Sequence, residues 1–218
     1  SNSSAIDANL LPNQAEGTSN YSYGIKIAYQ LNDKWALQSG LHIQNLDYST
    51  KNLTIATNIS GNNFINIDYV ATSSNYSISA SNTSNDALFL SGANLLTSNA
   101  TLIQTYGYIE VPIELTYRFL NTNKMSFHFI SGISTLFLNK NKIEIVSSVF
   151  SETLGKANNL NSFNVSGNLG FDFDYSLHQK LKLTINPMIK IPLKTFSKNS
   201  SGFRPYLIGV YTGIKYQF

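Results

Sequence analysis

Two glutamates and an arginine recur at four-residue intervals in segment 108–119, at Glu110, Glu114 and Arg118. Side chains of an extended chain alternate between two faces, so these three share a face at intervals of about 13 to 14 Å. Such a row could relay protons or ions, or supply paired carboxylates for acid–base chemistry. It could also neutralise itself as ion pairs that fill a closed interior. We predict the ion-pair network, whose members are Glu110, Glu114, Arg118, Asp172, Asp174, Lys182, Lys190 and Lys194.

Histidines and serines occur on the same polar faces, at His42, His128, Ser22, Ser126 and Ser134. A Ser-His-acid hydrolase needs these groups in mutual contact, and the sequence holds no nucleophile-elbow motif that would favour one. With three His and no Cys, a zinc site would need carboxylate ligands. We therefore predict no catalytic residues, no metal site and no cofactor.

The elements that carry these residues alternate between apolar and polar side chains. Segment 163–175 is the clearest case, because Phe163 and Val165 begin an apolar series and Asn164 and Ser166 a polar one. A period of two predicts β-strands. Seven segments of about 11 residues match the length of a tilted strand that crosses a bilayer. They are 21–31, 35–44, 108–119, 126–137, 163–175, 181–193 and 206–218.

The composition discriminates between a membrane barrel and a soluble one. Only 12% of the 218 residues are charged, about half the usual share, whereas 27 Asn, 28 Ser and 16 Thr are present. A soluble surface carries denser charge than the polar faces found here, and small polar residues suit the interior of a narrow barrel. The mean hydropathy of -0.10 is then an average over two opposed faces. A net charge of +3 without a basic patch argues against nucleic-acid binding.

The connections between the seven segments differ in length. Turns at 32–34, 121–124 and 178–180 are short, whereas connections at 46–106, 139–161 and 195–204 are long. This asymmetry is typical of outer-membrane barrels, whose short turns face the periplasm. The aromatic residues beside the short turns predict an interfacial girdle of Trp35, Tyr117, Phe119, Tyr175, Tyr216 and Phe218.

Parity predicts one more strand than the seven alternating segments supply. Single-chain bacterial barrels have an even number of strands, and residues 1–20 hold no alternating run, so we interpret them as an external loop. We therefore predict a single domain over 1–218, an antiparallel up-and-down transmembrane β-barrel of eight strands. Its first strand would lie upstream of Ser1, either in the same polypeptide or on a chain separated by cleavage.

The connection at 50–105 is the longest, and a loop of this length is expected to be functional or disordered. Its alternating stretches at 53–59 and 64–69 suggest strands that continue beyond the membrane. Its functional interpretation is a surface for another outer-membrane protein, a glycan or a signal, and the alternative is a solvated cover. We predict partner binding, because the loop contains the apolar residues Phe64, Tyr69, Leu88, Phe89 and Leu90.

Three stretches carry a family likeness. They read YIEVPIELTYRF at 108–119, WALQSGL at 35–41, and a closing strand with Gly209, Gly213, Tyr216 and the final Phe218. Together they resemble the PorT-like family of eight-stranded outer-membrane β-barrels of Bacteroidota. The resemblance implies a place in the bacterial outer membrane, surrounded by its lipid. It also implies that the barrel-assembly machinery reads the C-terminal strand, with Phe218 as the signal.

A second likeness lies in SAID at 4–7 and NYSYG at 20–24. These stretches resemble barrels that form the C-terminal domain of anti-sigma-factor-like proteins. In such proteins a cytoplasmic anti-sigma domain, an inner-membrane segment and a periplasmic linker precede the barrel. The sequence therefore predicts a non-enzymatic membrane anchor with a sensing or partner-binding surface, as part of a trans-envelope signalling protein. The alternatives are a subunit of an outer-membrane complex, a small pore or transporter, and an integral enzyme.

Overall fold

The computed structural model describes residues 15–18, 20–57, 66–70, 76–80, 97–148, 150–193, 195 and 206–218. All regular secondary structure in these residues is β-strand, and no helix among them is long and apolar enough to span a membrane. The strands are β1 (Ala15–Gly17), β2 (Tyr21–Gln30), β3 (Trp35–Thr57), β4 (Ile67–Tyr69), β5 (Tyr76–Ala80), β6 (Thr97–Asn121), β7 (Met125–Ser147), β8 (Ser151–Ala157), β9 (Phe163–His178), β10 (Leu181–Pro192) and β11 (Leu207–Tyr216).

One curled antiparallel sheet contains all eleven strands. Its long strands follow the order β2-β3-β6-β7-β9-β10-β11, and each pairs with the next. β1 pairs with the same edge of β3 as β2, but at residues 48–50. The prediction of an all-β antiparallel fold is confirmed, and the seven alternating segments are the seven long strands.

Short turns fix the pairing at one end of the sheet. In the turn between β2 and β3, the Asn32 side-chain oxygen accepts hydrogen bonds from the backbone amides of Lys34 and Trp35, at 2.9 and 3.0 Å. Asn is favoured in turns because its side chain satisfies backbone donors in this way. Thr122 caps the next turn through its bonds with Met125. The local sequence therefore determines the register from which the long strands start.

The part of the long strands nearest the short turns has apolar side chains outside and polar side chains inside. We call it the membrane belt: residues 21–31, 35–43, 109–119, 125–137, 163–178, 181–193 and 206–218. Ile113 on β6 points outward and is 56% exposed, whereas Glu114 beside it is buried. Exposed apolar side chains of this density are stable only against lipid.

Three strands continue well beyond the belt at the opposite end. β3, β6 and β7 are 23 to 25 residues long, about twice the length that crosses a bilayer. Residues 50–57 and 97–105, within the connection interpreted as loop, are therefore strand, because they extend the β3–β6 ladder. We call residues 45–57, 97–107 and 139–147, together with β1, β4, β5 and β8, the distal extension.

The distal extension has its own apolar core. Inward-facing side chains of β3, β6, β7 and β8 are almost fully buried there, namely Leu53, Leu102, Ile143, Ile145 and Leu154. Two β-bulges make this possible, since β3 shifts register between Thr50 and Leu53 and β7 shifts beside Asn139. A one-residue shift exchanges the two faces of a strand. Asn52 adopts the left-handed conformation at the first bulge, with φ 58°.

Candidate functional site

The polar lumen of the membrane belt is built around two glutamates of β6. Regular pairing of β3 with β6 places His42 opposite Glu110 and Gln38 opposite Glu114. Glycines on the neighbouring strands leave space for the large polar side chains. A Cβ atom at Gly132, for example, would lie 2.6 Å from Glu114 Cα. The alternation of large and small residues is what a narrow barrel interior requires.

Glu110 is the most heavily bonded acid of the lumen, with 0% of its surface exposed. Lys190, on the opposite wall, donates to both carboxylate oxygens at 2.8 and 2.7 Å. Gln44 donates at 2.6 Å and Ser134 at 2.5 Å, and His42 Nδ1 lies 3.4 Å away. A buried carboxylate is tolerated when it is paired and its oxygens accept hydrogen bonds in this way.

Glu114 forms the second cluster. It accepts hydrogen bonds from Lys26 at 3.3 Å and Gln38 at 2.7 Å. Asn168 donates to Glu114 at 2.9 Å and to Ser134 at 2.6 Å, and Ser134 in turn bonds Glu110. The two glutamate clusters are therefore one continuous network, linked through Asn168 of β9 and Ser134 of β7.

A third cluster lies nearer the short-turn end. Lys215 Nζ lies 2.7 Å from an oxygen of Asp172 and 2.9 Å from one of Asp174. His128 Nδ1 is 3.6 Å from Asp174, and the His128, Asp172 and Asp174 donor atoms lie within 4.8 Å of one another. This donor set could hold a metal ion by type. The Lys215 ammonium already supplies the positive charge, however, so a metal ion would have to displace it.

The predicted network members divide into those that join these clusters and those that do not. Glu110, Glu114, Asp172, Asp174 and Lys190 join them. Arg118 instead donates to the Asp33 carbonyl at the short-turn end. Lys182 makes no ion pair within the described ranges, and Lys194 lies outside them.

Other members were not among the predicted site residues. Lys26 and Lys215 were identifiable, since they alternate with apolar residues on β2 and β11 and so face inward. Neutral Gln38, Gln44, Ser134 and Asn168 carried no such signal, because many Asn, Ser and Gln residues share the inward faces. Only the register of the strands shows which of them reach a carboxylate.

The serines and histidines of the lumen do not form a nucleophilic triad among the described residues. Ser134 and His42 both contact the same carboxylate, that of Glu110, and Ser134 donates its proton there. In a triad the serine would donate to the histidine and the acid would orient the histidine from its other nitrogen. Ser134 and His42 are both buried as well.

The predicted partner-binding residues are placed only in part. Phe64, Leu88, Phe89 and Leu90 lie outside the described residues. Tyr69 ends β4, pairs with Gly155 of β8 and packs partly buried against the core of the distal extension. Tyr69 therefore helps to hold the extension together, so only part of its side chain remains accessible to a partner.

The boundary between belt and extension is marked by tyrosines. Tyr106 is buried and donates to Gln104 at 2.6 Å, and Tyr48 packs 6.0 Å from the Tyr106 ring. Burial raises the pKa of Tyr48 to about 12 and raises that of Tyr106 further. A cavity of about 20 Å³ lies beside them, near the space of one water molecule. Its lining includes Leu46, Tyr108 and Leu136.

Aromatic side chains line the short-turn end of the outer surface. Trp35 packs against Tyr117 at 4.7 Å between ring centroids, and Tyr216 packs against Phe218 at 5.2 Å. Phe218 is fully exposed. Aromatic belts of this kind occupy the membrane–water interface.

An antiparallel sheet with lipid-facing apolar residues, an ion-paired lumen and an aromatic girdle defines a transmembrane β-barrel domain. A family model for the outer membrane protein beta-barrel domain matches residues 3–218, and the chain belongs to this family. No curated protein and no solved structure gives a significant match. The domain resides in the bacterial outer membrane, where short turns face the periplasm. The distal extension therefore projects from the cell.

Proposed function

We propose that this domain is a non-enzymatic anchor that holds a folded module, the distal extension, at the cell surface to bind another outer-membrane protein. The apolar core of the extension is the observation that carries the proposal. Leu53, Leu102 and Ile145 are buried within it to the extent seen in soluble proteins. A loop that only covered the barrel would have no need of such a core, whereas a binding surface gains from being preorganised.

The lumen supports an anchor over a pore or transporter. Lys190 of β10 reaches Glu110 of β6 across the interior, and Asn168 links the two glutamate clusters. Ion-paired side chains therefore fill the path that water or a solute would take. Purified protein in planar bilayers is expected to show no conductance steps, and steady conductance would favour the pore.

The buried Glu110 cluster also favours an anchor over an enzyme, since its serine and histidine share one acid instead of activating one another. Loss of a hydrolytic activity on replacing His42 or His128 would favour the enzyme instead.

The finer proposal is that the anchor is the sensing part of a larger trans-envelope protein of anti-sigma type. Its support is the likeness of 4–7 and 20–24 to barrels of such proteins. A partner that binds the extension would then be the signal. Insertion of the domain would depend on the barrel-assembly machinery, through the C-terminal strand that ends at Phe218.

Photo-crosslinking in intact cells tests partner binding. A photoreactive residue at Lys156 or Asp68, both exposed on the distal extension, is expected to capture one outer-membrane protein. The same residue at Asn123, exposed on a short turn, is the matched control and is expected not to capture it. Equal capture from both ends, or none from the extension, contradicts the proposal.

Gly155→Val separates the role of the extension from that of the anchor. A Cβ at Gly155 would lie 1.9 Å from the Asp68 carbonyl oxygen, so the variant should release β4 from β8 without touching the belt. We expect capture of the partner to be lost while the protein still inserts in the outer membrane. If the domain also signals, the cell's transcript profile should change in this variant. An unchanged profile would contradict the signalling part and leave the anchor intact.

A further inference from the structure

The curled sheet leaves two long strand edges unpaired among the described residues. β2 pairs only with β3 along its length, and β11 pairs only with β10. Outward-facing residues of these strands are more exposed than those of inner strands, with Ile27 at 76% and Ile208 at 72% against 46% for Ile185. Both strands lie in the membrane belt. Backbone groups exposed to lipid have no water to bond, so open edges are not tolerated there.

The directions of the two edge strands restrict what can close this seam. β2 and β11 both run toward the short-turn end, so direct pairing between them would be parallel. A second copy of the chain in the same membrane orientation would offer the same two edges and the same parallel pairing. One strand that runs from the short-turn end outward would be antiparallel to both β2 and β11.

The seam is narrow. The Tyr211 ring of β11 lies 6.3 Å from the His42 ring of β3, and Lys190 lies 4.8 Å from the Tyr211 ring centre. His42 reaches this position because Gly24 of β2, its paired neighbour, carries no side chain. A Cβ there would lie 2.4 Å from the His42 ring. Interior side chains from the two sides of the seam therefore already meet, which favours a single strand as the filler.

Glycines of the lumen differ between the two sides of the seam. At Gly24, Gly40 and Gly132 the space is filled, because neighbouring atoms would lie closer than 3 Å to an added Cβ. At Gly209 and Gly213 of β11 the nearest atoms are 4.0 and 3.6 Å away. Large and small residues alternate across the strands of this barrel, so the open space over these two glycines calls for large side chains on the missing neighbour.

The chain enters the sheet from the side where such a strand would end. β1 lies at the outer end of β3, with Gly17 opposite Tyr48, and leads directly into β2. A strand running outward along β2 would therefore finish beside β1, through which the described part of the chain enters β2. We infer that one strand encoded N-terminal to Ser1 in the same gene product fills the seam, with apolar residues toward lipid and large lumen-facing residues four apart over Gly209 and Gly213.

Photo-crosslinking of the full gene product in outer membranes tests the strand and its origin. Photoreactive residues at Ile27 on β2 and Thr212 on β11 face lipid beside the seam. Both are expected to join the same peptide, one that precedes Ser1, when the products are mapped by mass spectrometry. Ser131, which faces lipid on β7 between β6 and β9, is the control and should not join it. Crosslinks between 27 and 212, to another segment of the 218 residues, between isotope-labelled copies, or to a different protein would each overturn the inference.

A pair of glycine substitutions tests whether side chains of the proposed strand pack over Gly213. Gly213→Phe would occupy the space assigned to the incoming strand, so we expect it to abolish the heat-modifiable folded form in the full gene product. Gly167→Phe is the matched control, since Gly167 faces lipid with no atom within 4 Å of an added Cβ. The control should keep the folded form. Equal folding of both variants would contradict the packing of large side chains over Gly213.

Discussion

The membrane belt and the distal extension use the same strands with opposite interiors. On the inward face of β6, Glu110 and Glu114 lie in the belt, whereas Leu102 and Tyr106 lie in the extension. The outward face is apolar in the belt, as at Ile109 and Ile113, and mixed in the extension, where Thr101, Ile103 and Thr105 follow one another. The comparison shows that the interior of β6 is polar where its outer face contacts lipid and largely apolar where the strand extends into water. The strand itself continues without interruption.

The two regions also differ in the interactions that stabilise their interiors. The belt interior depends on ion pairs and hydrogen bonds whose loss leaves a charge without a partner in a closed space. The extension depends on close packing of aliphatic side chains, whose faces are set by the bulges near Asn52 and Asn139. Substitutions should therefore have region-dependent effects that a uniform barrel would not show.

Deletion of Asn139 is expected to have the largest effect, and only in the extension. Without the bulge, Ile143 and Ile145 would turn outward, which costs roughly 1.5–3 kcal/mol for each side chain. Hydrogen exchange should rise across 141–147 while peptides from 109–119 stay protected. Asn139→Ala keeps the residue count and serves as the control. Loss of protection in the belt as well would show that the two regions are not separable.

Glu110→Ala is expected to destabilise the belt by about 3–5 kcal/mol, because it leaves Lys190 buried without its partner. Glu16→Ala removes the exposed pair with Lys51 and should cost only about 0–1 kcal/mol. Denaturant unfolding in micelles, followed by the fluorescence of the single Trp35, measures both. Similar costs for the two variants would argue that the lumen is hydrated.

Two lysine substitutions on one face of β6 locate the boundary between the lipid-facing belt and the distal extension. Ile113→Lys places a charge against lipid and should cost about 2–4 kcal/mol. Ile103→Lys makes the same change ten residues further along, where the side chain is half-buried in the water-facing extension, and should cost about 1 kcal/mol or less. The same unfolding assay in lipid bilayers compares them. A large cost at Ile103 would move the lipid boundary outward.

High pH is expected to destabilise the distal extension, but by less than the substitutions above. Burial raises the pKa of Tyr48 from 10.0 to about 12, so the neutral phenol is favoured in the folded state. Its contribution to stability is complete below pH 10 and is lost as the pH rises toward 12. Unfolding of the extension at increasing pH, with Tyr48→Phe as the control, measures this. An equal pH dependence in both proteins would assign the effect to other groups.

Much of the belt could be predicted from sequence, because alternation reports directly on a strand with two different surroundings. The series from Phe163 to Tyr175 and the turn at Asn32 gave strand, face and connection together. The distal extension was harder to predict from sequence, because a bulge interrupts the period of two within the strand. Ile143 and Ile145 share the parity of the lipid-facing Phe137, yet they are buried.

The lumen network could also be predicted from sequence only in part. Glu110 and Glu114 were recognisable by type and spacing, but their bonds to Ser134 and Asn168 depend on strands 24 to 54 residues away in sequence. Arg118 shares their face and spacing, yet it lies at the mouth and bonds a turn carbonyl. Spacing along one strand fixes a face, whereas contact across a barrel depends on curvature and register.

The sequence by itself therefore determined the strands, their order, the asymmetry of the connections and the low charge that suits lipid. Each of these depends on local chemistry, on the period of two or on composition. Tertiary structure alone decided which polar residues meet in the lumen, which side of each distal strand is buried, and which side chains meet beside the seam between β2 and β11. These features arise when the sheet curls, because curling brings together residues that are distant in sequence.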